Sequence, residues 1–200
     1  MSSKAERPSL ILGSASPRRS ELLAQIGIVP DVIQPADIDE DVLPGELPRP
    51  YVQRVSSAKC LALQNQFPND FILTADTTVS VGRRILGKPA DRDEARQFLT
   101  LLSARRHRVL TSTALLTPGG NTPIVKVSET AVKISKLHPN AIEAFLDSDD
   151  WQGKAGGYSI QGTFAKHISW IQGTYPSVMG LDVHQTWNLL TGNGWQPSGL

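Results

Sequence analysis

The sequence has very little cysteine and almost no net charge, and each scarcity excludes a class of protein. Cys60 is the only cysteine in 200 residues. It cannot form an intrachain disulfide or a cysteine-based zinc site, and it fits a reducing compartment. The formal net charge is +1, so the chain has no broad basic face for nucleic acid, and any basic clustering must be local.

Long apolar runs are also missing. The polar N-terminal residues lead into only a short apolar segment at residues 10–12, which is not typical of a secretory signal or a membrane span. We therefore expect no membrane partner and, by default, a cytoplasmic protein. The apolar fraction of 40% and the charged fraction of 20% are typical of a globular domain.

Strand-like and helix-like segments alternate along the chain, which favours an α/β fold with a mixed β-sheet, flanking helices and a cleft where strand ends meet. In the second helix, Tyr51, Val55, Ala58 and Leu61 are predicted near one face. The predicted strands are residues 10–12, 32–34, 71–75, 78–81, 84–86, 109–116 and 124–134, with a strand pair near 164–171. The predicted helices are residues 18–26, 50–64, 139–146 and 181–190, and one from the Asp91 cap to about residue 102.

The turn after the first strand carries the strongest local signal. Ser14 and Ser16 offer hydroxyls, Pro17 suits the first turn of a helix, and Arg18 and Arg19 follow at the helix start. Free helix amides and guanidinium groups together favour phosphate. The alternative is a capped surface helix with two solvated arginines.

Acidic residues follow two predicted strands. Asp37, Asp39, Glu40 and Asp41 come after the second strand, and Asp76 ends the apolar segment at residues 71–75. Carboxylates from separate loops can share a divalent cation, although an acidic run is equally typical of a solvated turn. Asp76 is the stronger candidate, because a half-buried aspartate needs a partner.

Candidate cations are also spread along the chain, at Lys59, Lys88 and Lys154. Lysines are usually solvated, but these three stand among small residues that would let a polyanion approach. The glycine-rich stretch at residues 153–162 lacks the ending of a P-loop. Within it, Gln161 could read a base edge through its amide or simply satisfy nearby backbone groups.

Other chemistries have weaker support. The sequence Gly-Ser-Ala-Ser-Pro at residues 13–17 departs from a nucleophile elbow in its last residue, which argues against a serine hydrolase. The histidines show no His-Glu-Xaa-Xaa-His spacing, which argues against a zinc protease.

Together these motifs resemble the Maf family of nucleoside triphosphate pyrophosphatases, in particular its dTTP/UTP subgroup. The motifs that carry the resemblance are Ser-Xaa-Ser-Pro-Arg-Arg (14–19), Asp39 with Glu40, Ala58 with Lys59, Ala-Asp-Thr (75–77), Gly-Lys-Pro (87–89), Lys-Ala-Gly-Xaa-Tyr (154–158) and Ile-Gln-Gly (160–162). The resemblance implies a fold similar to inosine triphosphate pyrophosphatases. We expect residues 1–200 to form one domain, with two lobes around a cleft and with residues 1–8 and 192–200 peripheral.

The resemblance also implies an activity, the hydrolysis of dTTP and UTP to the monophosphate and pyrophosphate, with modified pyrimidine nucleotides left open as substrates. Asp76 would be the proton acceptor, and Glu40 and Asp76 would hold Mg²⁺ or Mn²⁺. Ser14, Arg19, Lys59 and Lys88 would bind substrate, and Arg18, Thr77 and Gln161 would set specificity. Family members are often dimeric, so a homodimer is left open.

One position departs from the family pattern. Gly-Leu-Asp at residues 180–182 replaces the usual Gly-Leu-Pro, and we expect Asp182 to cap the last helix instead. Contacts from that turn to the nucleotide or a dimer partner are then in question. Two alternatives remain from the sequence: a 7-methyl-GTP pyrophosphatase of the same family, and a non-enzymatic nucleotide-binding regulator of cell division.

Overall fold

The computed structural model describes residues 7–197, which form a mixed sheet flanked by helices. The strands are β1 (Leu10–Leu12), β2 (Val32–Ile33), β3 (Phe71–Val81), β4 (Arg84–Leu86), β5 (Arg106–Leu116), β6 (Ile124–Ile134) and β7 (Ile168–Gln172). The α-helices are α1 (Pro17–Gln25), α2 (Pro48–Gln64), α3 (Arg92–Leu102), α4 (Pro139–Leu146), α5 (Tyr175–Met179) and α6 (Val183–Thr191). No helix among these residues is long and apolar enough to cross a membrane.

The seven strands form one sheet in the order β2-β1-β3-β5-β6-β7, and β4 pairs with β3. β1 runs parallel to both of its neighbours, whereas β3, β5, β6 and β7 pair antiparallel. This arrangement confirms the predicted mixed sheet. The long strands β3 and β5 form its centre, and Asp76 lies in the middle of β3 opposite Ser112 of β5.

Helix α2 packs on the two central strands with a partly polar buried face. Ser56 and Lys59 are buried together with apolar residues such as Val55, whereas Leu61 is 43% exposed. Tyr51 and Val55 are buried, so Leu61 does not share their face, and the prediction that places it near them is wrong. Relative to the predicted face, the helix is rotated about its axis, because polar groups on the strands pair with it. Ser112 Oγ of β5, for example, lies 2.7 Å from Ser56 Oγ. This rotation points Lys59 inward.

The C-terminal part departs most from the prediction. The expected strand pair near residues 164–171 is a single strand, β7, preceded by the 3₁₀ helix Thr163–His167. Phe164 is apolar and fully buried, but it packs against Phe145 and Tyr158 from an irregular segment, which apolarity alone does not reveal. The short helix α5 was not predicted.

The chain ends were expected to be peripheral. Residues 1–6 and 198–200 lie outside the described residues, so that expectation is not examined there. Trp195 is buried and packs in the cluster that contains Leu189 and Leu190. The C-terminal stretch after α6 is therefore not wholly peripheral.

Candidate functional site

A cleft of about 540 Å³ opens above the middle of β3. It is bordered by the β1–α1 turn, the inner face of α2, residues 152–161 and the turn after α5. Every residue to which the family resemblance assigns a role lines it, namely Ser14, Arg18, Arg19, Glu40, Lys59, Asp76, Thr77, Lys88 and Gln161. Residues from distant parts of the sequence therefore meet in one cleft, as predicted, although Asp76 lies in the middle of β3 and not at a strand end, because β3 continues to Val81.

The β1–α1 turn is held tightly against β3. The Gly13 amide donates to the Leu73 carbonyl at 2.8 Å, and a Cβ on Gly13 would lie 2.6 Å from Thr74 Cγ2, so only glycine fits. Ser16 is the N-cap residue of α1 and Pro17 is in its first turn, although the Ser16 side chain makes no capping hydrogen bond. The predicted helix start is confirmed.

Arg19 is the best-anchored cation at this turn. Its Nη1 donates to Ser14 Oγ at 2.8 Å, and its Nε donates to the Gly180 carbonyl at 2.9 Å. Burial lowers the pKa of the guanidinium, while the nearby carboxylates of Asp76 and Glu40 oppose that shift. The Gly180 carbonyl is a site contact that sequence reasoning missed. Arg18, in contrast, has a buried Nε with no partner within residues 7–197.

Lys59 lies between two carboxylates. Its Nζ is 3.0 Å from Asp76 Oδ1 and 2.9 Å from Glu40 Oε1. Lys88 Nζ approaches the other Glu40 oxygen at 3.8 Å. Burial acts to raise the pKa of Glu40, but the hydrogen bond and charge of Lys59, with Lys88 and Arg19 nearby, outweigh burial and lower it. Glu40 is therefore ionised at neutral pH.

Asp76 keeps one oxygen free. Its Oδ1 accepts from Lys59, whereas Oδ2 is buried without a hydrogen-bond partner in the described part of the chain. A buried carboxylate oxygen left unpaired is costly, and in a cleft it indicates a group poised for a ligand or a proton. This oxygen is therefore open to a ligand.

The donor set is compatible with Mg²⁺ or Mn²⁺. Among residues 7–197 there is no group of three or more His, Cys, Asp and Glu side chains that could hold a metal. Glu40 and Asp76 nevertheless meet at Lys59, and Asp76 Oδ2 is unpartnered. Magnesium commonly takes one or two carboxylates and completes its shell with substrate phosphates and water, so two carboxylates suffice.

The other acidic residues of the 37–41 run lie away from the cleft. Asp37, Asp39 and Asp41 are exposed, and none lines the cleft. Asp39 Oδ1 instead accepts from the Asp41 amide at 2.8 Å, as in a solvated turn. The run therefore contributes only Glu40 to the cleft, the member that the family resemblance names as a metal ligand.

Residues 152–161 form the opposite side of the cleft. Gly156 has φ +70°, and a Cβ there would lie 2.9 Å from Val79 Cγ2, so the segment approaches β3 only with glycine. Tyr158 Oη hydrogen bonds to His107 Nε2 at 2.5 Å in the core. Lys154 lines the cleft, and burial lowers its pKa. Gln161 Oε1 is buried without a partner in residues 7–197.

Asp182 caps the last helix, as expected. Its Oδ1 accepts from the Gln185 amide at 3.0 Å, and α6 begins at Val183. The turn before it still contacts the cleft, because Gly180 lines the cleft and its carbonyl accepts from Arg19. The fold accommodates the change from proline to aspartate at this position.

Comparisons with known proteins agree with this architecture. A dTTP/UTP pyrophosphatase of Roseobacter denitrificans is 50% identical over 194 residues, covering 93% of this chain and 97% of the relative. A dTTP/UTP pyrophosphatase of Gluconobacter oxydans is 50% identical over 198 residues, covering 97% and 89%. The HAM1 protein of Coxiella burnetii shares the fold, with a TM-score of 0.55 at 15% identity over 92% of this chain and 99% of that one.

The family assignment rests on nearly the whole chain. The model of the family described as Maf-like protein matches residues 9–193, which include all elements from β1 to α6 and every residue of the cleft. The chain belongs to the Maf-like protein family.

Proposed function

We propose that this protein is a nucleoside triphosphate pyrophosphatase that hydrolyses dTTP and UTP between the α- and β-phosphates, releasing the monophosphate and pyrophosphate. The observation that carries the proposal is the Glu40–Lys59–Asp76 cluster, which lies in the same cleft as the Ser14–Arg19 pair. The names of the curated relatives support the same activity. We also propose that residues 1–200 act as one domain with two lobes around the cleft.

Asp76 is the proposed proton acceptor. Its free Oδ2 would take a proton from the attacking water while Oδ1 remains bonded to Lys59, which keeps the carboxylate oriented. The hydrolysis then consumes one water, breaks one phosphoanhydride P–O bond and leaves pyrophosphate and the nucleoside monophosphate. The burial of Asp76 and Lys59 limits competition from bulk water.

Glu40 and Asp76 are the proposed holders of a divalent cation, Mg²⁺ or Mn²⁺. When bound, such an ion would neutralise phosphate charge and acidify a water. The chain's own task is to hold both carboxylates at one place in the cleft, and Lys59 does this by pairing with each of them.

The phosphates are proposed to bind along the positive side of the cleft. The β1–α1 turn brings the Ser14 hydroxyl and the Arg19 guanidinium, and α2 brings Lys59. Lys88 stands at the mouth with its side chain 65% exposed, so we assign it a weaker, solvated contact.

Base selection is proposed for Gln161, with Arg18 and Thr77 fixing the pose of the nucleotide. The Gln161 amide can donate to a carbonyl of uracil or thymine and accept from the adjacent ring N–H. The unpartnered Oε1 supplies that acceptor. Cytosine presents the reversed pattern at that edge and should be a poorer substrate.

Product analysis tests the proposal. Purified protein with Mg²⁺ or Mn²⁺ is incubated with dTTP, UTP, CTP, GTP and 7-methyl-GTP, and pyrophosphate is measured separately from orthophosphate. We expect pyrophosphate from dTTP and UTP above all. Preferred cleavage of 7-methyl-GTP would assign the chain to the other activity of the family, and nucleotide binding without hydrolysis would support the regulator. Light scattering on the same sample tests for a homodimer.

A further inference from the structure

The Asp182 carboxylate joins three elements behind the cleft, in addition to capping α6. Its Oδ1 accepts from the Gln185 amide at 3.0 Å. Its Oδ2 accepts from Ser128 Oγ on β6 at 2.6 Å and from Thr174 Oγ1 before α5 at 3.2 Å. Asp182 is only 7% exposed, so these bonds are shielded from water. A residue that only capped a helix would need the bond from the Gln185 amide and not the two from the hydroxyls.

One consequence concerns the turn between α5 and α6. Gly180 has φ +130°, and its amide donates to the carbonyls of Pro176 and Ser177. Its own carbonyl accepts from Arg19 Nε at 2.9 Å, across 161 positions of sequence. Because Asp182 ties down both the residue before α5 and the first turn of α6, it holds the Gly180 carbonyl at a defined place beside Arg19.

A second consequence concerns Thr77 of β3, which lies beside the same turn. Hydrogen bonds run from residue to residue between Asp182 and the cleft. In this hydroxyl chain, the Thr174 amide donates to Thr130 Oγ1 at 3.1 Å, and the Thr130 and Ser177 hydroxyls pair at 2.8 Å. Thr111 Oγ1 donates to the Ser177 carbonyl at 2.7 Å, and the Thr111 and Thr77 hydroxyls pair at 2.9 Å. Thr111, Thr130 and Ser177 are all buried.

We infer that Asp182 is a positioning residue for the nucleotide cleft, acting through the Gly180 carbonyl on Arg19 and through the buried hydroxyl chain on Thr77. The inference rests on the proposed function for its kinetic readout. Asp182 does not line the cleft, so its effect on substrate must pass through these contacts.

The test compares Asp182→Ala, Asp182→Asn and the control Asp91→Ala. Asp91 caps α3 through an equivalent bond to the Glu94 amide at 2.8 Å, but neither Asp91 nor any residue of α3 lines the cleft. We expect Asp182→Ala to raise the KM for dTTP about three- to thirtyfold, with kcat changed less. Asp182→Asn should restore KM, because its amide can still cap α6 and donate to the two hydroxyls, which then accept.

A purely structural role predicts a different pattern. Partial unfolding lowers the fraction of active enzyme, which reduces the apparent kcat and leaves KM unchanged. If Asp182→Ala and Asp91→Ala both show that pattern, the inference is wrong.

The hydroxyl chain is tested by Thr130→Val, alone and combined with Asp182→Ala. If both act through one path, their effects on KM should be clearly less than additive. Thr113→Val is the matched control, since the Thr113 hydroxyl is buried on the same sheet without a partner in residues 7–197. Full additivity of Thr130→Val and Asp182→Ala would remove the hydroxyl chain from the inference.

A readout without activity separates this inference from the proposed function. Amide hydrogen exchange at Gly180 and Leu181 should be faster in Asp182→Ala than in wild type and unchanged in Asp91→Ala. If the wild-type protein hydrolyses no nucleotide, the proposed function fails, yet the exchange result still decides the positioning role. Unchanged exchange in Asp182→Ala would overturn that role whatever the activity shows.

Discussion

The two sides of the cleft are built in opposite ways. The acid–base side consists of Ser14, Arg19, Glu40, Lys59 and Asp76, whose side chains bond to one another at 2.8–3.0 Å. The glycine-rich side consists of residues 152–161, an irregular segment with three glycines in left-handed conformations.

Each side of the cleft also contains one buried oxygen without a hydrogen-bond partner among the described residues. On the acid–base side, one buried oxygen, Asp76 Oδ2, lacks a partner within residues 7–197, and it lies where the proposed reaction takes place. On the glycine-rich side, Gln161 Oε1 lacks one, and that side is anchored from behind through Tyr158 and His107. The Arg19 and Lys59 cations are thus held by partners from the protein itself, whereas one oxygen of Asp76 and the Gln161 amide oxygen lack a partner in the part of the chain that the structure describes.

The largest expected effect is at the acid–base side. Asp76→Asn keeps the shape and the bond from Lys59 but loses basicity, so we expect kcat to fall about 10²- to 10⁴-fold. Asp37→Asn, an exposed acidic residue outside the cleft, should retain wild-type activity. Steady-state kinetics with dTTP and Mg²⁺ measures both, and a nearly active Asp76→Asn would remove Asp76 from the mechanism.

The expected loss of activity on removing a phosphate contact depends on how buried the cation is. Arg19 is held by two hydrogen bonds, whereas the Lys88 side chain is 65% exposed. We expect Arg19→Ala to lower kcat/KM about 10²- to 10³-fold and Lys88→Ala about tenfold or less. Both losses should be equal across dTTP, UTP, CTP and GTP. A change confined to the ratio of dTTP to CTP would place the residue near the base instead.

The glycine-rich side should control which base is preferred and not the activity shared by all nucleotides. Gln161→Glu replaces a donor with a second acceptor facing the pyrimidine carbonyl, which should cost about 1 to 3 kcal/mol, or roughly tenfold to hundredfold in kcat/KM for dTTP and UTP relative to GTP. Gln152→Glu places the same charge on the same segment and is the control. Equal pyrimidine-to-purine ratios in Gln161→Glu and wild type would show that Gln161 does not read the base.

The smallest effect on activity is expected behind the glycine-rich side, at His107, where the change appears in stability. Burial lowers the pKa of His107 from 6.5 to about 4. Between these values the unfolded chain binds a proton that the folded protein does not, so stability present above pH 6.5 is lost as the pH falls toward 4. The loss amounts to roughly 3 kcal/mol.

Denaturant unfolding at a series of pH values measures this loss. We expect His107→Gln to flatten the dependence between pH 6.5 and 4, and exposed His184→Gln to leave it unchanged. An unaltered slope in His107→Gln would assign the acid sensitivity to other groups.

Local sequence patterns predicted much of the fold. Pro17 and the Asp91 cap marked where α1 and α3 begin, and β1, β4, β6 and α4 have the predicted bounds. These signals succeed because caps, prolines and apolar alternation act within a few residues. The prediction fails at Leu61 and near residues 164–171. At both places, packing partners that are distant in the sequence decide which side chains are buried.

By itself the sequence determined which chemical groups the cleft contains, because its motifs specify residue types in order along the chain and match one family. Only the tertiary structure decided how those groups are paired. That Lys59 bridges Glu40 and Asp76 and that Arg19 is held by the Gly180 carbonyl both depend on through-space distances of about 3 Å. Such distances are set by the rotation of α2 and the turn before α6, which no local pattern encodes.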